Sequence, residues 1–160
     1  MGTKGQGIVK ISPEEITKLL NVALADEWMA VIQYWSGAQV CKGPQRTEVV
    51  QELLAHMQEE LQHANKLSKR IIQLGGTPLV SPEAMLKAVG GNYEAPDNPL
   101  TSNVLAQNIR GEQHAILYYN SVLDTVRGKD PITHNMIVEI LGDEIEHEQD
   151  LEDLLFDLSC

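Results

Sequence analysis

Four apolar stripes at helical spacing run along this sequence, and each is broken near its middle by one glutamate. The last is the clearest. Stepping by three and four through the C-terminal segment gives Ile137, Leu141, Glu144, His147, Leu151, Leu155 and Leu158. Glu144 and His147 are three apart, so on a helix they share one face, a turn from each other. A carboxylate inside an apolar stripe is costly to bury unless a positive group meets it. The Glu-x-x-His spacing recurs at Glu60 and His63, within Leu53, Met57, Glu60, His63 or Ala64, Leu67, Ile71 and Leu74. The remaining stripes carry a glutamate without a histidine: Leu20, Leu24, Glu27, Val31, Tyr34 in one, and Leu105, Ile109, Glu112, Ile116, Tyr119, Leu123, Val126 in the other. Stepping instead from Glu59 gives Glu52, His56, Gln62 and Lys66, which reads as a solvent face.

The punctuation between the stripes sets their limits. Ser12-Pro13-Glu14-Glu15 is a helix start, with serine as cap, proline at the first helical position and glutamate three residues after the cap. That helix runs to about Val40, before Gly43-Pro44. A second covers Thr47 to Leu74 and stops at Gly75-Gly76. Residues 75–100 hold four prolines and four glycines; Ser81-Pro82-Glu83 opens a short helix to Val89, and Gly90 to Pro99 reads as loop. The flanking helices are about 40 Å long at 1.5 Å per residue. A segment of this length can run back along them, so the second and third helices are expected to be parallel. The third covers Thr101 to Arg127, and Asp130-Pro131 caps a fourth that fills the remaining chain. Gly111 and Gly142 lie inside these helices, where glycine costs about 1 kcal/mol relative to alanine, and suggest close packing. The expected fold is all-α: a flexible tail over residues 1–11, then one four-helix bundle domain over 12–160 with a single long crossover.

Bulk properties narrow the function. At 160 residues the chain is about one domain. Its net charge of −11 argues against a nucleic-acid binder, and Lys4 and Lys10 in the tail are too few to reverse that, so DNA binding is not expected. No run has the length of a signal peptide or a membrane span, which points to a cytoplasmic protein away from membranes. Cys41 and Cys160 are far apart with no CxxC spacing, and neither is given a role.

Glu27, Glu60, Glu112 and Glu144 would repel one another if buried together, whereas two divalent cations would neutralise them. The interval from Glu27 to Glu60 is 33 residues and that from Glu112 to Glu144 is 32, as expected for two helical hairpins related by a pseudo-twofold axis. One glutamate from each of two helices plus Glu-x-x-His from each of two others is the known ligand pattern of di-iron and di-manganese bundles. Oxygen and imidazole donors suit iron or manganese.

On these residues the chain resembles bacterioferritin. The segments Glu27–Trp35 (EWMAVIQYW), Glu59–Ala64 (EELQHA) and Glu139–His147 (EILGDEIEH) carry the likeness, which covers most of residues 16–158 except the crossover. The resemblance implies a ferritin-like fold with a ferroxidase centre of two iron ions per subunit, with manganese or zinc as substitutes. Glu60 and Glu144 would bridge the ions, Glu27 and His63 complete one, and Glu112 and His147 the other. Tyr34 matches the family tyrosine beside the site. Three departures stand out. The haem methionine position is Leu61, so haem is not expected, and the inner-surface iron histidine position is Ala55. No fifth C-terminal helix is expected, and the longer, helix-bearing crossover is similar to that of Dps-like mini-ferritins. This hybrid implies an iron-storing, Fe(II)-detoxifying ferroxidase using hydrogen peroxide or dioxygen, in a homo-oligomeric cage of 12 rather than 24 subunits. The alternative is a di-metal peroxidase or manganese-catalase-like oxidoreductase without a cage.

Overall fold

A computed structural model of the chain describes residues 2–91 and 93–159. Six helices follow in order: α1 (Thr3–Gln6), α2 (Pro13–Val40), α3 (Arg46–Gln73), α4 (Pro82–Ala88), α5 (Thr101–Val126) and α6 (Pro131–Asp157). The four long ones form the bundle, α4 lies in the crossover, and no helix follows α6 among the described residues. None of them is long and apolar enough to cross a membrane.

The expected start signals cap their helices. Ser12 Oγ accepts from the Glu15 amide, and Ser81 Oγ does the same for Ala84. Residues 1–11, expected to be a flexible tail, carry the helical turn α1, and the end of the segment is attached to the bundle. Lys10 N–H donates to the Lys129 carbonyl at 2.8 Å, and Val9 and Ile11 pack on the core. Gly111 and Gly142 do not mark close packing. A Cβ at Gly111 would meet only Gln33 Nε2 at 3.5 Å, and one at Gly142 would meet nothing within 4 Å. Within the long helices the close approach is at Gly37 of α2, where a Cβ would lie 2.9 Å from Val104 Cγ1 of α5 and something would have to shift.

Short turns make α2 and α3 one antiparallel hairpin and α5 and α6 another. The crossover brings the chain back to the start of α5 beside the end of α2: Lys42 N–H donates to the Pro99 carbonyl at 2.7 Å, and Thr101 N–H to the Lys42 carbonyl at 2.9 Å. Since α3 also starts at that end, α3 and α5 run parallel, as the long connection requires. Three polar side chains of α2 hold the crossover along the bundle. Asn21 Oδ1 accepts from Leu79 N–H, Asp26 Oδ1 from Gly90 and Gly91 N–H, and Gln33 Oε1 from Glu94 N–H.

The core is in two pieces. One, at the end where α2 and α6 begin, is built on Ile16, Leu20, Leu67, Ile71, Val122 and Ile137. The other, at the opposite end, is built on Ala38, Val49, Leu53, Val104, Leu105 and Leu151. Glu27, Glu60, Glu112 and Glu144 occupy the level between them, all buried.

An ionic cluster ties the hairpins at the first end. Asp130, wholly buried, caps α6 through the Ile132 and Thr133 amides and accepts from Arg70 Nη2 of α3 at 2.7 Å. Burial alone would raise the Asp130 pKa, but hydrogen bonds from Thr133 and Arg70 outweigh it and leave the carboxyl below its ordinary value of 3.8. A depressed folded pKa stabilises the fold above the ordinary carboxylate range, and that contribution is lost as pH falls through the folded value. Asp130→Ala should therefore cost about 3–5 kcal/mol at neutral pH, the usual penalty for stranding one partner of a buried ion pair. Urea unfolding should show this loss and show it shrinking in acid; a neutral-pH loss under about 1 kcal/mol would mean Arg70 finds another partner.

Candidate metal centre

All six residues expected from the Glu and Glu-x-x-His pattern come together at the middle of the bundle. One donor atom each from Glu27, Glu60, His63 and Glu144 lie within 4.8 Å of one another, and the same holds for Glu60, Glu112, Glu144 and His147. Glu60 and Glu144 belong to both groups, and each is about 1% exposed. His63 Nδ1 lies 3.1 Å from Glu60 Oε2 and 3.2 Å from Glu144 Oε1, while His147 Nδ1 lies 3.1 Å from Glu60 Oε1. Glu144 Oε1 is buried without a hydrogen bond. Two adjoining pockets of oxygen and imidazole donors, sharing two carboxylates, can hold two first-row divalent cations side by side.

The two halves support each other across the pseudo-twofold. His63 of α3 points its Nε2 at Asp143 of α6, 2.9 Å away, and His147 of α6 points its Nε2 at Glu59 of α3, 2.7 Å away. These acids hold the Nε2 protons and leave each Nδ1 facing the carboxylates, the arrangement that orients a metal-ligating imidazole. The tyrosines repeat the exchange. Tyr34 of α2 donates to Glu112 of α5, and Tyr119 of α5 donates to Glu27 of α2. Tyr34 thus sits beside the site as expected. Tyr119, Glu59 and Asp143 are positioning residues that the stripe pattern does not single out. The signals were present: both tyrosines follow their glutamate by seven residues, and both acids immediately precede a shared glutamate.

His56 corrects the reading of a solvent face through Glu59. It is 3% exposed, and its ring stacks on His147 with centroids 4.1 Å apart. The position is four before Glu60 as well as three before Glu59, and the helix turns it to the Glu60 side. Burial and then the neighbouring His147 lower its pKa to about 3. Cys41 is buried in the apolar cluster at the end of α2 and lines neither cavity described below. Cys160 lies outside the described residues.

Two cavities reach the centre from different sides and share no lining residue. One, of about 260 Å³, lies between α2, α5 and the crossover and touches all four central glutamates. The other, of about 230 Å³, lies between α3 and α6 and touches His63 and His147.

Crowding in this layer shifts the proton affinity of its acids and imidazoles upwards at four positions. Burial and then the charges of Glu60 and Glu144 raise the Glu27 pKa well above 4.5; burial, Glu144 and Glu60 do the same to Glu112. Burial opposes protonation of the two imidazoles, yet hydrogen bonds to the surrounding carboxylates outweigh it, raising His63 and bringing His147 to about 12.

The chain belongs to the ferritin-like family: residues 17–160 match the family model described as a ferritin-like domain. It is 30% identical over 147 residues to the DNA protection during starvation protein of Pyrococcus furiosus, covering 91% of this chain and 79% of that one. Its fold superposes with a TM-score of 0.93 and 37% identity on a bacterioferritin-related protein of Bacteroides fragilis described as a dodecameric thioferritin, covering 97% of this chain and 91% of the other. The Dps protein of Vibrio cholerae shares the fold at a TM-score of 0.85 and 15% identity, over 90% of this chain and 91% of that one.

With the proton affinities of Glu27, Glu112, His63 and His147 raised, a cation binding here competes with protons for the same donor atoms. Mn(II) titrated into metal-free protein should release protons, and its affinity should rise with pH. Calorimetry in buffers of different protonation enthalpy reads this directly; uptake with no proton release would mean the carboxylates are already ionised.

Proposed function

We propose that this protein is a ferroxidase and iron store. It binds two Fe(II) ions at the bundle centre, passes their electrons to hydrogen peroxide or dioxygen, and keeps the ferric product inside a shell of its own copies. The observation that carries this reading is the pair of carboxylate–imidazole clusters joined through Glu60 and Glu144. Glu60 and Glu144 bridge the two ions, Glu27 and His63 complete one position, and Glu112 and His147 complete the other. Four carboxylates balance two divalent charges, so the pair sits in the buried layer without excess charge.

Pairing suits the oxidant. One hydrogen peroxide takes one electron from each of two Fe(II) ions and, with two protons, leaves as two waters. Tyr34 and Tyr119 hold Glu112 and Glu27 in place, while Asp143 and Glu59 hold the imidazoles. The cavity under the crossover, which touches the carboxylates, is the approach for Fe(II) and oxidant. Manganese or zinc fits the same donors, but zinc has no accessible redox change and would block turnover.

The shell is proposed on two grounds. The Bacteroides fragilis relative is described as dodecameric, and this chain exposes Trp35, Ile72, Leu86 and Leu117, apolar surface that copies of the chain can cover. With a net charge of −11, any protection of DNA would come from removing Fe(II) and peroxide rather than from binding the polymer. The proposed location is the cytoplasm.

Glu60→Ala should abolish rapid Fe(II) oxidation, followed by absorbance of the ferric product, with an unchanged helical circular-dichroism spectrum. An unchanged oxidation rate would defeat the assignment. Storage has its own test, size-exclusion chromatography with light scattering after loading with Fe(II) in air. A particle near twelve subunits with far more iron than the di-metal centre can hold supports the store. A dimer carrying only the two centre ions per chain would favour a peroxidase without a cage.

A further inference from the structure

We propose a third divalent-cation site, built by Glu52 and His56 of α3 and Asp150 of α6, in the cavity on the α3–α6 side. One donor atom from each of the three lies within 4.8 Å of the others. His56 Nε2 lies 3.1 Å from Glu52 Oε1 and 3.7 Å from Asp150 Oδ2, yet it makes no hydrogen bond. The ring is 3% exposed and fixed on both sides, stacked on His147 and hydrogen-bonded through Nδ1 to the Tyr34 hydroxyl at 3.3 Å.

That hydrogen bond decides what Nε2 offers. The single hydroxyl hydrogen of Tyr34 is donated to Glu112, so towards His56 the phenol oxygen accepts and Nδ1 carries the proton. In the neutral ring, Nε2 then presents a lone pair towards two carboxylates. A buried imidazole lone pair facing two carboxylates is unfavourable until a cation lies between them, and an imidazole oriented by its other nitrogen is the usual metal ligand. One imidazole and two carboxylates, with open positions towards the cavity, suit Fe(II), Mn(II) or Zn(II).

The site is one-sided. Under the pseudo-twofold that superposes His63 on His147, His56 maps to Ile140, Glu52 to Met136 and Asp150 to Lys66. The bundle therefore holds its shape on the other side with apolar and basic residues, and the polar trio has no structural counterpart. A hydrogen-bonded path through His56, Tyr34 and Glu112 links an ion here to the central carboxylates. It is placed as a holding position on the side from which His63 and His147 are reached.

The test is crystallography of the full chain soaked with Zn(II) alone, using anomalous scattering at the zinc edge. The expected result is density bonded to His56 Nε2 at about 2.0–2.1 Å, flanked by Glu52 and Asp150 and lost in His56→Ala. Asp150→Asn, altered at a half-exposed side chain, should weaken the same density without burdening the fold. Wild-type crystals with no density there, or density that persists in His56→Ala, would overturn the proposal. Ions at the Glu60–Glu144 centre are read at their own positions, so failure of either site is visible separately.

Discussion

Everything in this structure depends on a layer of four buried carboxylates placed between two apolar clusters. A chain of this length could have filled the middle of its bundle with leucine and gained stability there. Instead, each long helix gives up one inward position to a glutamate, and the hydrophobic core is divided in two. Raised proton affinity at Glu27, Glu112, His63 and His147 offsets the repulsion within the layer. Two divalent ions would do so more completely.

The elements around the layer follow from it. Hairpin packing sets α2 against α3 and α5 against α6, and the crossover carries the chain back so that the second hairpin enters from the end opposite to the first. Gly37 allows α2 and α5 to approach closely near Val104, and the Arg70–Asp130 pair joins the hairpins at the far end. Asn21, Asp26 and Gln33 hold the crossover against α2, where it becomes one wall of the cavity leading to the glutamates.

Much of this was legible in the sequence because helix caps and apolar periodicity are local signals. Ser12-Pro13, Ser81-Pro82 and Asp130-Pro131 mark starts that the structure keeps. The glutamates were legible because a charge inside an apolar stripe violates the pattern it sits in. Residues at the edge of the stripe were not. His56 falls on two overlapping steps of the helix, and only packing against α6 decides between them. Glu59 and Asp143 look like ordinary surface acids until the opposing hairpin supplies the imidazole each one holds. Gly111 and Gly142 misled because a helical glycine has many causes, and open space beside Gly142 shows that helix contact within the chain is not one of them.

The exchange of partners between hairpins has a consequence for how such a molecule can arise. Each hairpin contributes one lone glutamate, one Glu-x-x-His, one tyrosine and one orienting acid, and each of its tyrosines and acids serves the other hairpin. A peptide of half this length, self-associated about a true twofold axis, would satisfy every one of those contacts. The crossover thus supplies none of the six clustered donors, adding covalent connection and one wall of the cavity that reaches them. By freeing the two halves to diverge, it permits a side chain such as His56 to exist on one side only.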